Sequence, residues 1–213
     1  MKALFGLVFL CVAPVSLTAV SVPVVITFDD INANSGGSRD YPTPPSGYYG
    51  LQWINFEVLN TKDFAVSGYE SGVVSPDNVA FNSGGGPAAF SSSAAFDLDS
   101  AYLTAAWNDG LQVEAQGFVG SVLTYDNTYI LSATAPTLIN FNYRGVNEVN
   151  FIASGGTAHD GYSGAGTQFA MDNMTISAPE PGTIGLLVFG AALVGLGGRR
   201  GRKAIHSTTD GHR

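Results

Sequence analysis

Three aspartates carry the sharpest chemistry in this chain. Asp29 and Asp30 close an apolar run, Val24-Val25-Ile26-Thr27-Phe28, and Asp172 stands beside Asn173 in a second run near residue 175. Where the first and last strands of an antiparallel sandwich lie side by side, these acids converge. Carboxylate and carbonyl oxygens at loop ends are the ligands that Ca²⁺ prefers, so Asp29, Asp30 and Asp172 form a candidate calcium site. The same residue types also cap turns by accepting bonds from nearby backbone amides, and the sequence leaves both readings open. No pattern in the chain demands a cofactor.

Aromatic residues supply a second candidate site. Tyr48, Tyr49, Trp53, Trp107 and Tyr162 can form a stacking platform for sugar rings, whose apolar faces suit Trp or Tyr beside Asn and Asp. Both tryptophans also fit strand patterns, where packing into a core is their alternative role. Asp97 and Asp99 alternate about Leu98 and read as solvated carboxylates at a sheet edge.

Covalent catalysis has thin support. His159 is the one histidine of the body, since His206 and His212 lie in the tail, and no Gly-x-Ser-x-Gly elbow occurs. The run Ser83-Gly84-Gly85-Gly86 lacks the strand-to-helix setting of a phosphate loop. Acid pairs for glycoside hydrolysis are numerous, but none is marked out. The expectation is a protein without enzymatic activity.

The elements that must position these residues are strands. Hydrophobic residues make up 45% of the 213 and charged residues only 12%, with 27 glycines, which suits many turns and few long helices. Period-two alternation runs through Val24–Phe28, Leu51–Val58, Asn78–Phe81, Ala94–Leu98, Leu103–Trp107 and Leu111–Gln116. It continues in Phe118–Tyr125, Thr128–Ser132, Thr137–Tyr143, Glu148–Ala153 and Gln168–Ser177. Asn108-Asp109-Gly110, Tyr143-Arg144-Gly145 and Gly155-Gly156 read as the breaks between them. Such a series predicts an all-β sandwich of the jelly-roll kind, over residues 22–178.

Charge is unevenly spread. Residues 22–178 hold 15 acids against Arg39, Lys62 and Arg144, a net charge near −12, which repels phosphate backbones and argues against nucleic acid as a partner. Five of the nine bases follow Leu196. The one cysteine, Cys11, lies in the first apolar run, so a mature domain without that run has neither disulfides nor thiol chemistry.

The two ends read as addresses. Met1-Lys2, the apolar stretch Ala3–Val15 and the small residues up to Ser21 have the parts of a secretory signal peptide over 1–21, with cuts after Ala19 or Ser21. At the other end Pro179-Glu180-Pro181 leads into 17 uncharged residues, Gly182–Gly198, and then Arg199-Arg200-Gly201-Arg202-Lys203. As a helix those 17 residues span roughly 25 Å, the short edge of a bilayer core. The basic cluster keeps residues 204–213 on the cytoplasmic side.

This tripartite order over 179–203 resembles a PEP-CTERM sorting signal. The resemblance implies recognition by an exosortase, an integral-membrane cysteine enzyme that cuts near the motif and hands its substrate to the cell surface or matrix. It also implies exopolysaccharide as a neighbour. Ten residues follow Lys203, where such signals usually end. The body resembles the jelly-roll ectodomains such proteins often carry, in Ile26–Ile31, Phe96–Trp107 and Gln168–Ile176. The resulting expectation is a non-enzymatic envelope or matrix protein. A carbohydrate-binding module and a glycoside-active jelly roll are the two alternatives.

Overall fold

Alternating apolar residues build an antiparallel network of strands. The computed structural model describes residues 21–33 and 41–179. All but Ser21 of the expected signal peptide, part of the Asn32–Tyr49 loop and the helix expected after Pro181 lie outside the described residues. In chain order the strands are β1 (Ser21–Ile26), β2 (Gln52–Ile54), β3 (Phe56–Asn60), β4 (Asn78–Asn82) and β5 (Ala88–Ala105). They continue with β6 (Asn108–Val119), β7 (Val122–Leu131), β8 (Thr137–Ala158) and β9 (Phe169–Pro179). Hydrogen bonding orders them β3-β4-β9-β5-β8-β6-β7, with β1 paired to β9 and β2 to β5. Among the described residues no helix is long and apolar enough to cross a membrane.

Two long strands make the sandwich. β5 and β8 pair along most of their length, but the rung after Ser91–Glu148 is Phe96–Val146. Four residues of β5 therefore face a single residue of β8, and a bulge of that size bends both strands. One half of the pair carries β2, β6 and β7; the other carries β9, β1, β4 and β3. The halves face each other across a shared core. Phe151 of β8 meets Phe56 of β3 at 6.0 Å and Phe169 of β9 at 5.9 Å between ring centroids. All three rings are buried, each contributing about 2–3 kcal/mol of transfer free energy.

Several breaks expected from sequence lie inside strands instead. Asn108-Asp109-Gly110 opens β6, and Arg144-Gly145 forms a bulge opposite Asp97 within β8. Gly145 adopts φ 65°, a conformation that costs glycine little, so the chain is re-aimed and not ended. The expected strand Phe118–Tyr125 is divided: Gly120 and Ser121 form a two-residue turn between β6 and β7, closed by the Val119–Val122 pair.

A second apolar layer lies outside the sandwich. Leu59, Val79, Phe81 and Ala170 point away from the main core and are covered by Tyr69 of a short helix, α1 (Gly68–Gly72), with Phe64 and Trp107 at its margin. β4 is consequently buried on both faces. Gly68 permits this contact, because a Cβ there would stand 1.8 Å from the Ala105 carbonyl oxygen. Ser67 caps α1 by accepting from the Glu70 amide, and the Glu70 carboxylate accepts in turn from the Val66 amide.

Candidate functional site

The chain leaving β1 turns sharply at Phe28, φ 63°, and then runs through Asp29 to Ala33. Asn78, at the head of β4, pins this segment. Its side-chain amide donates to the carbonyls of Phe28 (3.1 Å) and Ile31 (2.9 Å), and its backbone N–H donates to Asp29 Oδ1 (3.1 Å). Between the segment and the start of β4 lies a cavity of about 570 Å³. Asp29, Asp30, Asn60, Asp77 and Asn78 give it a polar, acidic wall. Asn78 is buried, and among the described residues its Oδ1 has no hydrogen-bond partner. Asp77 pairs with Lys62 at 2.6 Å on the exposed side.

Aromatic residues stand beside this wall. Tyr48 Oη donates to Asp30 Oδ1 at 2.6 Å. Burial first, and the Asp30 carboxylate second, push the Tyr48 phenol far above its ordinary range, so it stays a donor. Tyr49 packs edge-on against Tyr48 at 4.8 Å and is 44% exposed. Trp53 lies beneath, with its ring against Phe28, Phe56 and Phe90 and its indole N–H on the Tyr48 carbonyl at 3.2 Å. Asp29, Asp30, Tyr48, Tyr49 and Trp53 are thus brought together. Tyr49 is the exposed ring, while Trp53 supports the core.

Asp172 serves the same neighbourhood from behind. It is fully buried and does not line the cavity. Its Oδ2 accepts from the amides of Val74 (2.6 Å) and Ser75 (2.8 Å), and its Oδ1 accepts from Ser75 Oγ (2.8 Å) and the Asn173 amide (2.7 Å). Burial pushes its carboxyl above the usual range, against the pull of those donors. Asp29 and Asp172 therefore fasten the two ends of one loop, residues 74–78. Among the described residues no group of three or more His, Cys, Asp or Glu side chains is gathered as a metal cluster.

Trp107 and Tyr162 occupy another place. Trp107 packs on Tyr69 and Phe64, and a Cβ at Gly164 would come within 2.6 Å of its ring, so a loop covers that face. Tyr162 donates to the Ala133 carbonyl at 2.9 Å and leans on His159. His159 Nδ1 meets Asp109 Oδ2 at 2.5 Å, and that bond holds the Asp109 carboxyl below its usual range. Among the described residues no serine hydroxyl bonds His159.

One cluster had no signal of its own in the sequence. Arg144 Nη1 reaches both Asp97 (3.0 Å) and Asp99 (2.6 Å), so the two acids that the sequence presents as solvated edge carboxylates are half-buried and ion-paired. Asp97 Oδ1 also accepts from the Gly145 amide, and Asp99 Oδ2 accepts from Ser177 Oγ at 2.5 Å. The cluster ties the bulge of β8 to β5 and to the end of β9. Ser177 is where a further pattern begins: residues 177–203, including Pro179, Glu180, Pro181, Arg199 and Arg200, match the PEP-CTERM protein-sorting motif. The chain carries a PEP-CTERM sorting signal. Such a signal marks a protein for export and for membrane anchoring ahead of exosortase cleavage.

No curated protein matches this PEP-CTERM chain. Its fold is similar to that of a DUF4465 family protein from Bacteroides caccae, with a TM-score of 0.53 and 11% identity over 73% of this chain and 98% of that one. A DUF4465 family protein from Bacteroides ovatus aligns with a TM-score of 0.43 and 12% identity, over 76% and 96% of the two chains. TmCBM61 in complex with β-1,4-galactotriose aligns at 0.32 and 10%, over 65% and 98%. Only the first likeness bears on the fold, and it supports a jelly-roll-like β-sandwich.

Proposed function

We propose that this chain is a non-enzymatic envelope or matrix protein, exported, anchored through its C-terminal segment, cut by an exosortase-like enzyme and active among extracellular polysaccharide. One observation carries the reading: the sorting motif starts within the last strand of a folded, strongly acidic sandwich. The intact mass of material from the surface of exosortase-bearing cells tests it. The expected mass lacks the segment that follows the Pro-Glu-Pro motif. A mature chain with its tail complete overturns the sorting reading, and sugar release abolished by a single Asp→Asn change overturns the non-enzymatic one.

A specific contact favours carbohydrate binding as a second reading. The Tyr48–Asp30 hydrogen bond joins a half-buried tyrosine, and the exposed Tyr49 packed on it, to a cavity walled by carboxylates and amides, the mixture that sugar rings and hydroxyls require. In this reading Tyr49 stacks on a ring, Asp30 and Asn60 accept from or donate to hydroxyls, and a Ca²⁺ held by Asp29 and Asp30, without the buried Asp172, orders the wall. Retention on the producer's own polysaccharide is expected to fall about tenfold in Tyr49→Ala and in the presence of chelator. Retention unchanged by both treatments excludes this cavity as the glycan site.

A further inference from the structure

The sorting motif does not hang freely from the domain. β9 carries its first residues, and β1 is paired to β9 rung by rung from Ile26–Met174 to Ser21–Pro179. On the opposite side of β9 the last rung with β5 is Asp97–Ser177. Ala178 and Pro179 are therefore matched by Val22 and Ser21 alone. The first strand of the domain and the first proline of the sorting motif are one structural unit.

This pairing is strong in register and weak in packing. Pro23 and Pro179 stand at the same parity of the ladder. A proline keeps such a register without deleting a ladder bond only at non-hydrogen-bonded pairs, so Ser21–Pro179, Pro23–Ser177 and Val25–Thr175 are those pairs. Pro23 accordingly turns its N–H-less nitrogen to the open edge of β1, which blunts that edge against other strands. Val22, Val24 and Val25 remain 51%, 39% and 50% exposed, whereas Ile26 at the far end is fully buried. Lifting residues 21–25 off β9 breaks backbone bonds but uncovers little apolar surface, so this stretch opens more readily than the core strands.

We propose that β1 is a releasable clamp on the sorting motif, and that exosortase action on the Pro-Glu-Pro segment requires Ser21–Val25 to leave β9. The inference rests on the sorting reading given above. An enzyme that cuts a peptide takes it in extended form with its amides and carbonyls available to the cleft. Because Ser21–Pro179 is a non-hydrogen-bonded pair, the backbone groups committed to the ladder are those of Ala178, paired with Val22 just ahead of the first proline. They are available only in the opened fraction of molecules, and the cutting rate follows that fraction when opening is fast. The clamp thus makes processing depend on the end of the sheet and leaves the core untouched.

A reversible lock tests this. Pro23 and Ser177 face each other at a non-hydrogen-bonded pair, where Cα atoms lie about 4.5 Å apart, within the range a disulfide spans. Full-length P23C/S177C, made alongside wild type in exosortase-bearing cells, is expected to give at least tenfold less processed surface material when oxidised, and to recover with reductant. Val24→Gly, at an exposed position, is expected to raise early processing about threefold by weakening the strand. Oxidised P23C/S177C processed at the wild-type rate, or Val24→Gly processed no faster, overturns the clamp while the sorting reading stands. Wild type left uncut in the same cells overturns both.

Discussion

At the scale of single residues, Asp172 is the most constrained acid of the domain. Its two oxygens accept four bonds from the 74–75 loop and the Asn173 amide. Asp172→Asn puts an NH₂ group against amide donors and leaves at least one of them unmet. The expected loss is about 2 kcal/mol in a urea melt at pH 7. Because burial raises the carboxyl's pKa in the folded state, the folded protein takes up a proton at higher pH than the unfolded chain does. The group therefore costs stability above its raised value, and that cost fades as pH falls toward the unfolded value near 3.8. Wild type should hold a larger advantage over Asp172→Asn at the acid end of this window than at pH 7. An advantage that shrinks on acidification contradicts the assignment. The placing of Asp29, Asp30 and Asp172 beside strands was legible in the sequence, because alternation marks the runs they adjoin. Their division of labour was not, since loop 74–78 enters from a distant part of the chain.

Among the elements, the strands were legible and their lengths were not. Alternation marks nearly every strand, but turn residues read as ends where the sheet uses them as bulges. Arg144-Gly145 reads as a break, yet Gly145 is held by Asp97 and the strand continues to Ala158. Whether a glycine ends a strand or bends it depends on whether a partner strand waits beyond, and no local pattern reports that. The Arg144 cluster fixes this bend. Arg144→Ala is expected to cost about 1 kcal/mol, the upper end for a half-exposed ion pair, because the guanidinium serves two carboxylates. Wild type and variant should converge as salt rises toward 1 M, where the Debye length is about 3 Å. A salt-independent loss in equilibrium unfolding would assign the effect to packing. Helix α1 escaped sequence reading because five residues show no period. It forms because Gly68 lets it approach β5.

For the whole molecule, address and architecture were readable where ligand was not. A sorting motif is recognised as a linear string, so order and spacing carry all of its meaning. The proposed glycan site draws on separate stretches: Asp29–Asp30 after β1, Tyr48–Tyr49 before β2 and Asp77–Asn78 at β4. The sequence nominates Asp29, Asp30, Tyr48 and Tyr49 but not Asp77–Asn78, and has no means of bringing them together. Trp107 shows the converse, a nominated aromatic whose face is taken up by Gly164. The acidic body and the basic residues after Leu196 also divide the chain electrically, which suits a domain delivered outside while its tail stays in.

The register of β1 with β9 has a mechanical meaning as well. The cavity loop departs from β1 just beyond Ile26, at one end of the six-rung ladder, and the tether continues from Pro179 at the other. A pull between that loop and the tether drags the two strands past each other lengthwise. Shear of this kind loads all six rungs together, whereas a pull at one end would open them in turn. The strand that comes away easily from its tip is thus the one that resists when the domain is held at its cavity and tugged by its anchor.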